Sequence, residues 1–305
     1  KLPGSKGPGV KDNAYTNIMV VWLLEKAMEV IDSLSSDALK RLKEKIGFEI
    51  KETKKWQEIR RKLNVVMTED GIISQFDGYM KLKELNWDHY REKYGNIHRM
   101  DRILKAKGDS PDAYKVAKQA DTLMTYYVLS PDDVSGILTR LGYPAMDPVD
   151  VMKKNYAYYE QRTSHGSTLS KVVHAIISSY MDNADTAWQW FVEAMESDIY
   201  DTQGGTTPEG IHCGVMAGTL DVITRYFVGI DFSKPVPQFT PNLPRHWKRL
   251  VMVVHHRKVR YHIDLSQDKI KLTVRGAAKM RQPVKVNGRS IMLSGGKTRT
   301  IGIRN

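Results

Sequence analysis

Thr163-Ser164-His165-Gly166-Ser167 sets three hydroxyls, an imidazole and a glycine directly ahead of the apolar-periodic stretch Leu169 to Tyr180. A helix starting there leaves its first backbone N–H groups unpaired, and with those side chains beside them they suit an anion, phosphate first. An architectural reading is equally open, in which Ser167 or Thr168 simply caps the helix. A second group, Lys118-Gln119-Ala120-Asp121, puts a cation and an amide side by side near a predicted helix start, suited to sugar hydroxyls or an oxyanion. The alternative there is a solvated helix face. A third, Gly204-Gly205-Thr206-Thr207-Pro208-Glu209-Gly210-Ile211-His212, is a glycine- and threonine-rich entry into a helix, with Glu209 and His212 three apart on one face. His165, His174 and His212 match no metal-ligand spacing, so no metal site is expected. Cys213, the single cysteine, has apolar helical neighbours and reads as a buried thiol in a reducing compartment.

Helical periods position these groups. They recur over Ile18 to Ala27, Val116 to Leu129, Val134 to Leu141, Val149 to Tyr159, Leu169 to Tyr180, Ala184 to Met195 and Ile211 to Tyr226. Ser130-Pro131-Asp132-Asp133 reads as an N-cap with proline in the first turn, and Gly142-Tyr143-Pro144 as a stop. The aromatic clusters Tyr126-Tyr127, Tyr156 to Tyr159 and Trp188 to Phe191 fit a core, with sugar stacking as the alternative. After Pro235, Pro237, Pro241 and Pro244 the period changes to short strands at Val251 to Val254, Val259 to Leu265, Lys269 to Val274, Val284 to Val286 and Thr298 to Ile303, with turn signals at Asn287-Gly288 and Gly295-Gly296. The predicted organisation is a helical domain over 1–230, a proline-rich connector over 231–247 and a small basic antiparallel β-sandwich over 248–305.

The 305 residues and 41% apolar content suffice for a substantial core, and no apolar run approaches the ~20 residues of a membrane span. Lys1 to Val10 lacks the apolar centre of a signal peptide, so a cytoplasmic protein is expected. The net charge of +12 is concentrated in Arg245 to Asn305, where 16 Lys and Arg face only Asp264 and Asp268. No nucleic-acid motif accompanies that surplus, so nucleic acid is an unfavoured partner and a solvated basic face the plainer reading. Lys40 to Lys62 is interleaved with glutamates at near-helical offsets and reads as a solvated face.

Taken together, Asp12-Asn13-Ala14-Tyr15-Thr16-Asn17, Lys118-Gln119-Ala120-Asp121, Arg162 to Ser167, and Glu209-Gly210-Ile211-His212 with Ala217-Gly218-Thr219 resemble, in order, the motifs of glycoside hydrolase family sixty-five, the maltose, trehalose and kojibiose phosphorylases and related hydrolases. The resemblance implies a mainly α fold, an (α/α)6 barrel of which this chain supplies about the second half, followed by a β-sandwich. It implies inverting phosphorolysis of an α-linked glucosyl disaccharide to β-glucose 1-phosphate, with inorganic phosphate as co-substrate, no other cofactor and a homodimer as a reasonable assembly. By the same resemblance Ser164, His165, Gly166 and Ser167 hold phosphate, and Lys118, Gln119, Glu209 and His212 border the sugar. The family's general acid is a glutamate in a Gly-Pro-Asp-Glu segment. Here the corresponding stretch reads Gly7-Pro8-Gly9-Val10-Lys11, so no residue is assigned as the acid, and an inactive fragment is one expectation. An acid-trehalase-type hydrolase and a noncatalytic sugar- or phosphate-binding protein are the alternatives. Glu25 is too far into the first helix to be nominated in its place.

Overall fold

In a computed structural model the described residues are 7, 9–181, 184–200, 202, 208, 210–276 and 280–303. Eleven α-helices lie among them: α1 (Ala14–Ser33), α2 (Ser36–Ile46), α3 (Glu52–Lys62), α4 (Trp87–Tyr94), α5 (Met100–Ala106), α6 (Met124–Val128), α7 (Pro131–Arg140), α8 (Pro148–Glu160), α9 (Leu169–Ser178), α10 (Ala184–Glu196) and α11 (Cys213–Asp221), the last continued by a π-helical turn, Val222–Phe227. Asn13 caps α1 by accepting from the Thr16 N–H, and Ala14, Ile18 and Val21 then form the i, i+4, i+7 stripe it buries. Ser130 and Asp133 form the full capping box that opens α7, with Pro131 in its first turn. α2 and α3 bury no residue fully, as their interleaved charges predict.

α9 is the axis of the helical part. Every residue from Ser170 to Ser178 is buried, and α6, α10 and α11 pack around it. α11 approaches so closely that a Cβ on Gly218 would lie 2.7 Å from Val172, so only glycine lets the two backbones meet there. The main core gathers α1, α6, α7, α8 and residues 72–79; a second cluster joins α9, α10, α11 and Phe227.

Eight strands follow: β1 (Ile230–Asp231), β2 (Gln238–Phe239), β3 (Arg249–His256), β4 (Val259–Ser266), β5 (Lys269–Arg275), β6 (Arg281–Val286), β7 (Arg289–Ser294) and β8 (Thr298–Gly302). They make two four-stranded sheets, ordered β1-β2-β6-β7 and β3-β4-β5-β8, antiparallel throughout except for the β2–β6 pair. Tyr261, Ile263, Leu265, Ile270, Leu272, Val274, Val284, Val286 and Leu293 fill the space between them. Asn287-Gly288 turns the β6–β7 hairpin with both residues at positive φ, as predicted. β7 was not expected, nor were β1 and β2, which lie among the prolines. Trp247 ties the two parts together by packing edge-on against Phe191 and Phe227.

Two expectations are corrected. The helix expected over Val116 to Leu129 exists only as Met124–Val128, because the residues before it are drawn into pairing with a distant segment, described below. Cys213 is exposed, not buried: it opens α11 on the same outward side as the exposed Ala217 and Leu220, while Val215 and Gly218 face the core. Among the described residues no helix is long and apolar enough to cross a membrane, and no three His, Cys, Asp or Glu are grouped to hold a metal.

Candidate functional site

Two segments far apart in the chain run side by side as one parallel pairing. The Ala117 N–H donates to the Arg162 carbonyl at 2.8 Å, the Ser164 N–H to the Ala117 carbonyl at 2.9 Å, and the Gly166 N–H to the Lys118 carbonyl at 2.8 Å. That ladder brings Lys118 against Gly166, so the first two sequence-predicted groups form one place. A third segment closes over it. The His98 carbonyl would lie 2.5 Å from a Cβ on Gly166, and Lys118 Cγ 3.2 Å from it, which is why residue 166 has no side chain. The His98 ring also donates from Nδ1 to the Ser164 carbonyl at 3.1 Å, the carbonyl being able only to accept.

His165 sits at φ 52°, the left-handed region that a histidine enters at a cost of about 1 kcal/mol or more. Side-chain contacts hold it there. Its Nδ1 lies 3.0 Å from Ser170 Oγ, which also accepts the Ala120 N–H at 3.3 Å, and its ring packs against His174 and Trp190, each with centroids 4.7 Å away. Burial above all, then the neighbouring His174, His98 and Lys171, push its pKa down to about 2, so His165 is a neutral imidazole at every working pH. His174 is likewise held neutral by burial, at about 4, and donates from Nδ1 to its own preceding turn at Ser170.

Thr168 stands at the N-cap of α9 in helical conformation and makes no side-chain cap bond, so the capping reading of this stretch is not what the structure adopts. Ser164 and Gly166 have committed their amides to Ala117 and Lys118. Of the amides that open α9, those of Ser170 and Lys171 donate to the Ser167 and Thr168 carbonyls, which leaves as candidate anion donors the amides of residues 167–169, the hydroxyl of the half-buried Ser167, and the exposed Lys118 and Gln119 next to them.

Asp121 joins this site to the start of α1. It accepts from Asn13 Nδ2 at 3.0 Å, while Asn13 also reaches the Gln75 carbonyl; burial raises the Asp121 pKa and the Asn13 and Gln75 side chains oppose that rise. His212 is placed differently. Asp198 takes both its backbone N–H and its ring Nδ1, each at 2.7 Å, fixing the turn into α11, and among the described residues no hydrogen bond joins His212 to the 164–167 loop. Glu209 and Gly204 to Thr207 lie outside the described residues. Glu25 is a structural clamp, paired with Arg60 and Arg140 from α3 and α7.

Sequence reasoning missed His98, Ser170, Lys171 and Asp198. Lys171 alone had a local signal, as the one charge inside an otherwise uncharged helix. Ser170, His174 and Ser178 recur every four residues along that same buried helix. Ser170 and Ser178 reach His165 and Tyr156, and His174 packs edge-on against His165.

The chain matches the model of the glycosyl hydrolase family 65 central catalytic domain over residues 4–221 and that of the family's C-terminal domain over residues 232–293. It is 40% identical over 303 residues to an uncharacterised glycosyl hydrolase of Mycobacterium tuberculosis, covering 98% of this chain and 22% of that one. To the trehalose 6-phosphate phosphorylase of Lactococcus lactis it is 41% identical over 273 residues, covering 89% of this chain and 33% of the relative. The kojibiose phosphorylase of Halothermothrix orenii is 28% identical over 303 residues, with 97% of this chain and 36% of the relative covered. The chain thus spans between about a fifth and about a third of the length of these relatives. A solved structure from the human microbiome, assigned provisionally as a kojibiose phosphorylase, superposes with a TM-score of 0.73 at 22% identity over 96% of this chain and 37% of its own, and shares the fold, an (α/α)6-barrel region followed by a β domain. Carrying both of its domain signatures in order on that fold, the chain belongs to glycosyl hydrolase family 65.

Proposed function

We propose that the protein carrying this chain cleaves an α-linked glucosyl disaccharide by inverting phosphorolysis, and that trehalose 6-phosphate is the first substrate to test. The observation that carries the reading is the convergence of Lys118, Gly166 and the start of α9 through the 117–118 and 162–166 ladder. A cation, a helix start and small hydroxyl residues at one point suit phosphate. Phosphate bound there attacks the anomeric carbon from the face opposite the leaving sugar and gives β-glucose 1-phosphate. In an inverting hydrolase a carboxylate activates water at that position. From Gln161 to Lys171 the chain has no carboxylate, which favours phosphate over water as the nucleophile. The choice of disaccharide rests on identity, 41% to the trehalose 6-phosphate phosphorylase against 28% to a kojibiose phosphorylase and 27% to a nigerose phosphorylase. Lys118 and Gln119 border both substrates, and neutral His165 shapes the loop. The acid that protonates the leaving oxygen is assigned to no residue of this chain. A homodimer, a cytoplasmic setting and the absence of any cofactor beyond phosphate belong to the same proposal.

The test is to incubate the complete protein with trehalose 6-phosphate, trehalose, maltose, kojibiose and nigerose, with and without phosphate, and to assay glucose 1-phosphate and free glucose. Phosphate-dependent β-glucose 1-phosphate is expected. Free glucose without phosphate would replace the reading with a hydrolase. Equilibrium binding of phosphate or sugar with no turnover would replace it with a noncatalytic binding protein, the reading that Gly7 to Lys11 favours by lacking the acidic pair.

A further inference from the structure

The reaction outlined above makes no use of Lys171. It is 1% exposed, in the first turn of α9, one residue beyond the Ser170 that holds His165 and Ala120. Its Nζ lies 3.3 Å from Glu193 Oε2 on α10 and 3.3 Å from Thr202 Oγ1 on the segment leading to α11. The two members of that ion pair differ in their surroundings. The Lys171 side chain is 2% exposed and that of Glu193 is 48% exposed, so water screens the carboxylate while the ammonium acts on the interior nearly unscreened. The buried member of the pair is therefore the positive one, on the residue next to the Ser170 that holds His165 of the 164–167 loop. That charge contributes to holding both His165 and His98 below the ordinary histidine range, after burial as the main cause.

We propose that Lys171 is a positioning residue for the phosphate co-substrate, a buried cation behind the start of α9 that raises the site's affinity for a phosphate dianion, with Glu193 setting how much of its charge the site feels. This rests on the reading of the 164–167 loop as the phosphate site. Lys171 reaches the anion through its field, not by contact, and it pins Thr202 at the same time.

Two variants of the complete protein, Lys171→Met and Glu193→Gln, break the same ion pair and decide the matter by sign. Phosphate KM is measured on the disaccharide the wild type cleaves, together with the inorganic phosphate concentration that gives half of the anion's thermal stabilisation. Lys171→Met is expected to raise both values by on the order of threefold to tenfold, and Glu193→Gln to lower both by about twofold, with disaccharide KM and kcat nearly unchanged. Lys171→Arg should restore the wild-type value. A purely structural pair moves both variants in the same direction, and that result, or no shift in either, overturns the proposal while leaving the phosphorylase reading intact. Should Lys171→Met fail to fold, Glu193→Gln alone decides: a lowered phosphate KM supports the proposal, and an unchanged or raised one overturns it. A wild type whose turnover ignores phosphate overturns the phosphorylase reading and this proposal with it.

Discussion

Gly166→Ala tests whether the place where three segments meet is the place where phosphate binds. The added Cβ would sit 2.5 Å from the His98 carbonyl oxygen, roughly 0.9 Å inside ordinary contact, and 3.2 Å from Lys118 Cγ. The lysine side chain can swing away. The carbonyl belongs to backbone fixed nearby by the bond from His98 Nδ1 to the Ser164 carbonyl, so either the 97–99 segment or the 164–167 loop must shift. Overpacking of this kind costs about 1–3 kcal/mol of stability. A shift of the loop by most of an ångström displaces Ser167 and the opening amides of α9 relative to Lys118, and misplacement on that scale can reduce catalysis by about 10²-fold. The expected result is therefore a lower unfolding midpoint together with a kcat/KM for phosphate reduced ten- to a hundredfold, on the order of what that misplacement allows. Gly136→Ala is the control, since it lies within α7 with nothing inside 4 Å of the added Cβ and should stabilise by about 0.5–1 kcal/mol through helix propensity alone. Unchanged stability and kinetics in Gly166→Ala would refute the close packing itself. Lost stability with phosphate kinetics within twofold of wild type would refute the assignment of phosphate to this loop.

The buried histidines make stability depend on pH in a definite direction. An unfolded histidine titrates near 6.5, whereas folded His174 is held at about 4 and His165 at about 2, so below ~6.5 the unfolded state binds more protons and stability is lost as pH falls. Each contributes a slope of up to about 1.4 kcal/mol per pH unit across the interval between its two values. Urea midpoints from pH 4 to 7 should fall less steeply with acid in His174→Phe than in wild type, and parallel curves would refute the burial argument. In an active complete protein Ser167→Ala should raise phosphate KM severalfold, the equivalent of about 1 kcal/mol for one lost hydrogen bond, and leave disaccharide KM nearly unchanged. Lys118→Ala should raise both, and equal effects of Ser167→Ala on the two substrates would count against the anion assignment.

Periodicity was enough to read α1 and α7 to α11, and in α1, α7 and α8 the apolar stripe opens at a local side-chain cap. It failed where distant pairing overrode local preference. Ala117 to Asp121 has helix-compatible residues, yet its backbone bonds to 162–166 and its aspartate to Asn13, contacts separated by tens of residues and invisible to any local pattern. The same limit hid Asp198, which has no motif around it and earns its place only by receiving both His212 groups. Cys213 was misread because apolar neighbours indicate a helix but not which of its faces is covered. The hairpin turn Arg257-Lys258, with both residues at positive φ, gave no warning because neither residue favours that region, and there strand pairing enforces the conformation. Four of the eight assigned site residues lie in the 164–167 loop, which the structure brings against Lys118. Among the described residues no hydrogen bond joins His212 to that loop, and Glu209 lies outside the described residues.

The geometry also divides labour among those four loop residues in a way their types do not suggest. The Ser164 and Gly166 amides are consumed by the carbonyls of Ala117 and Lys118, the His165 ring is neutral and turned into contacts with Ser170, His174 and Trp190, and the Ser164 carbonyl is taken by His98. In the proposed phosphate site these groups build the loop. This leaves Ser167, the amides of residues 167–169 and Lys118 to meet phosphate in the proposed site, backed by the buried charge of Lys171. It follows that substitutions at residues 164 to 166 should act on phosphate through loop position, with losses of stability, whereas those at Ser167 and Lys118 should act with stability intact. That contrast separates an anion site held by a scaffold from a scaffold that merely resembles one.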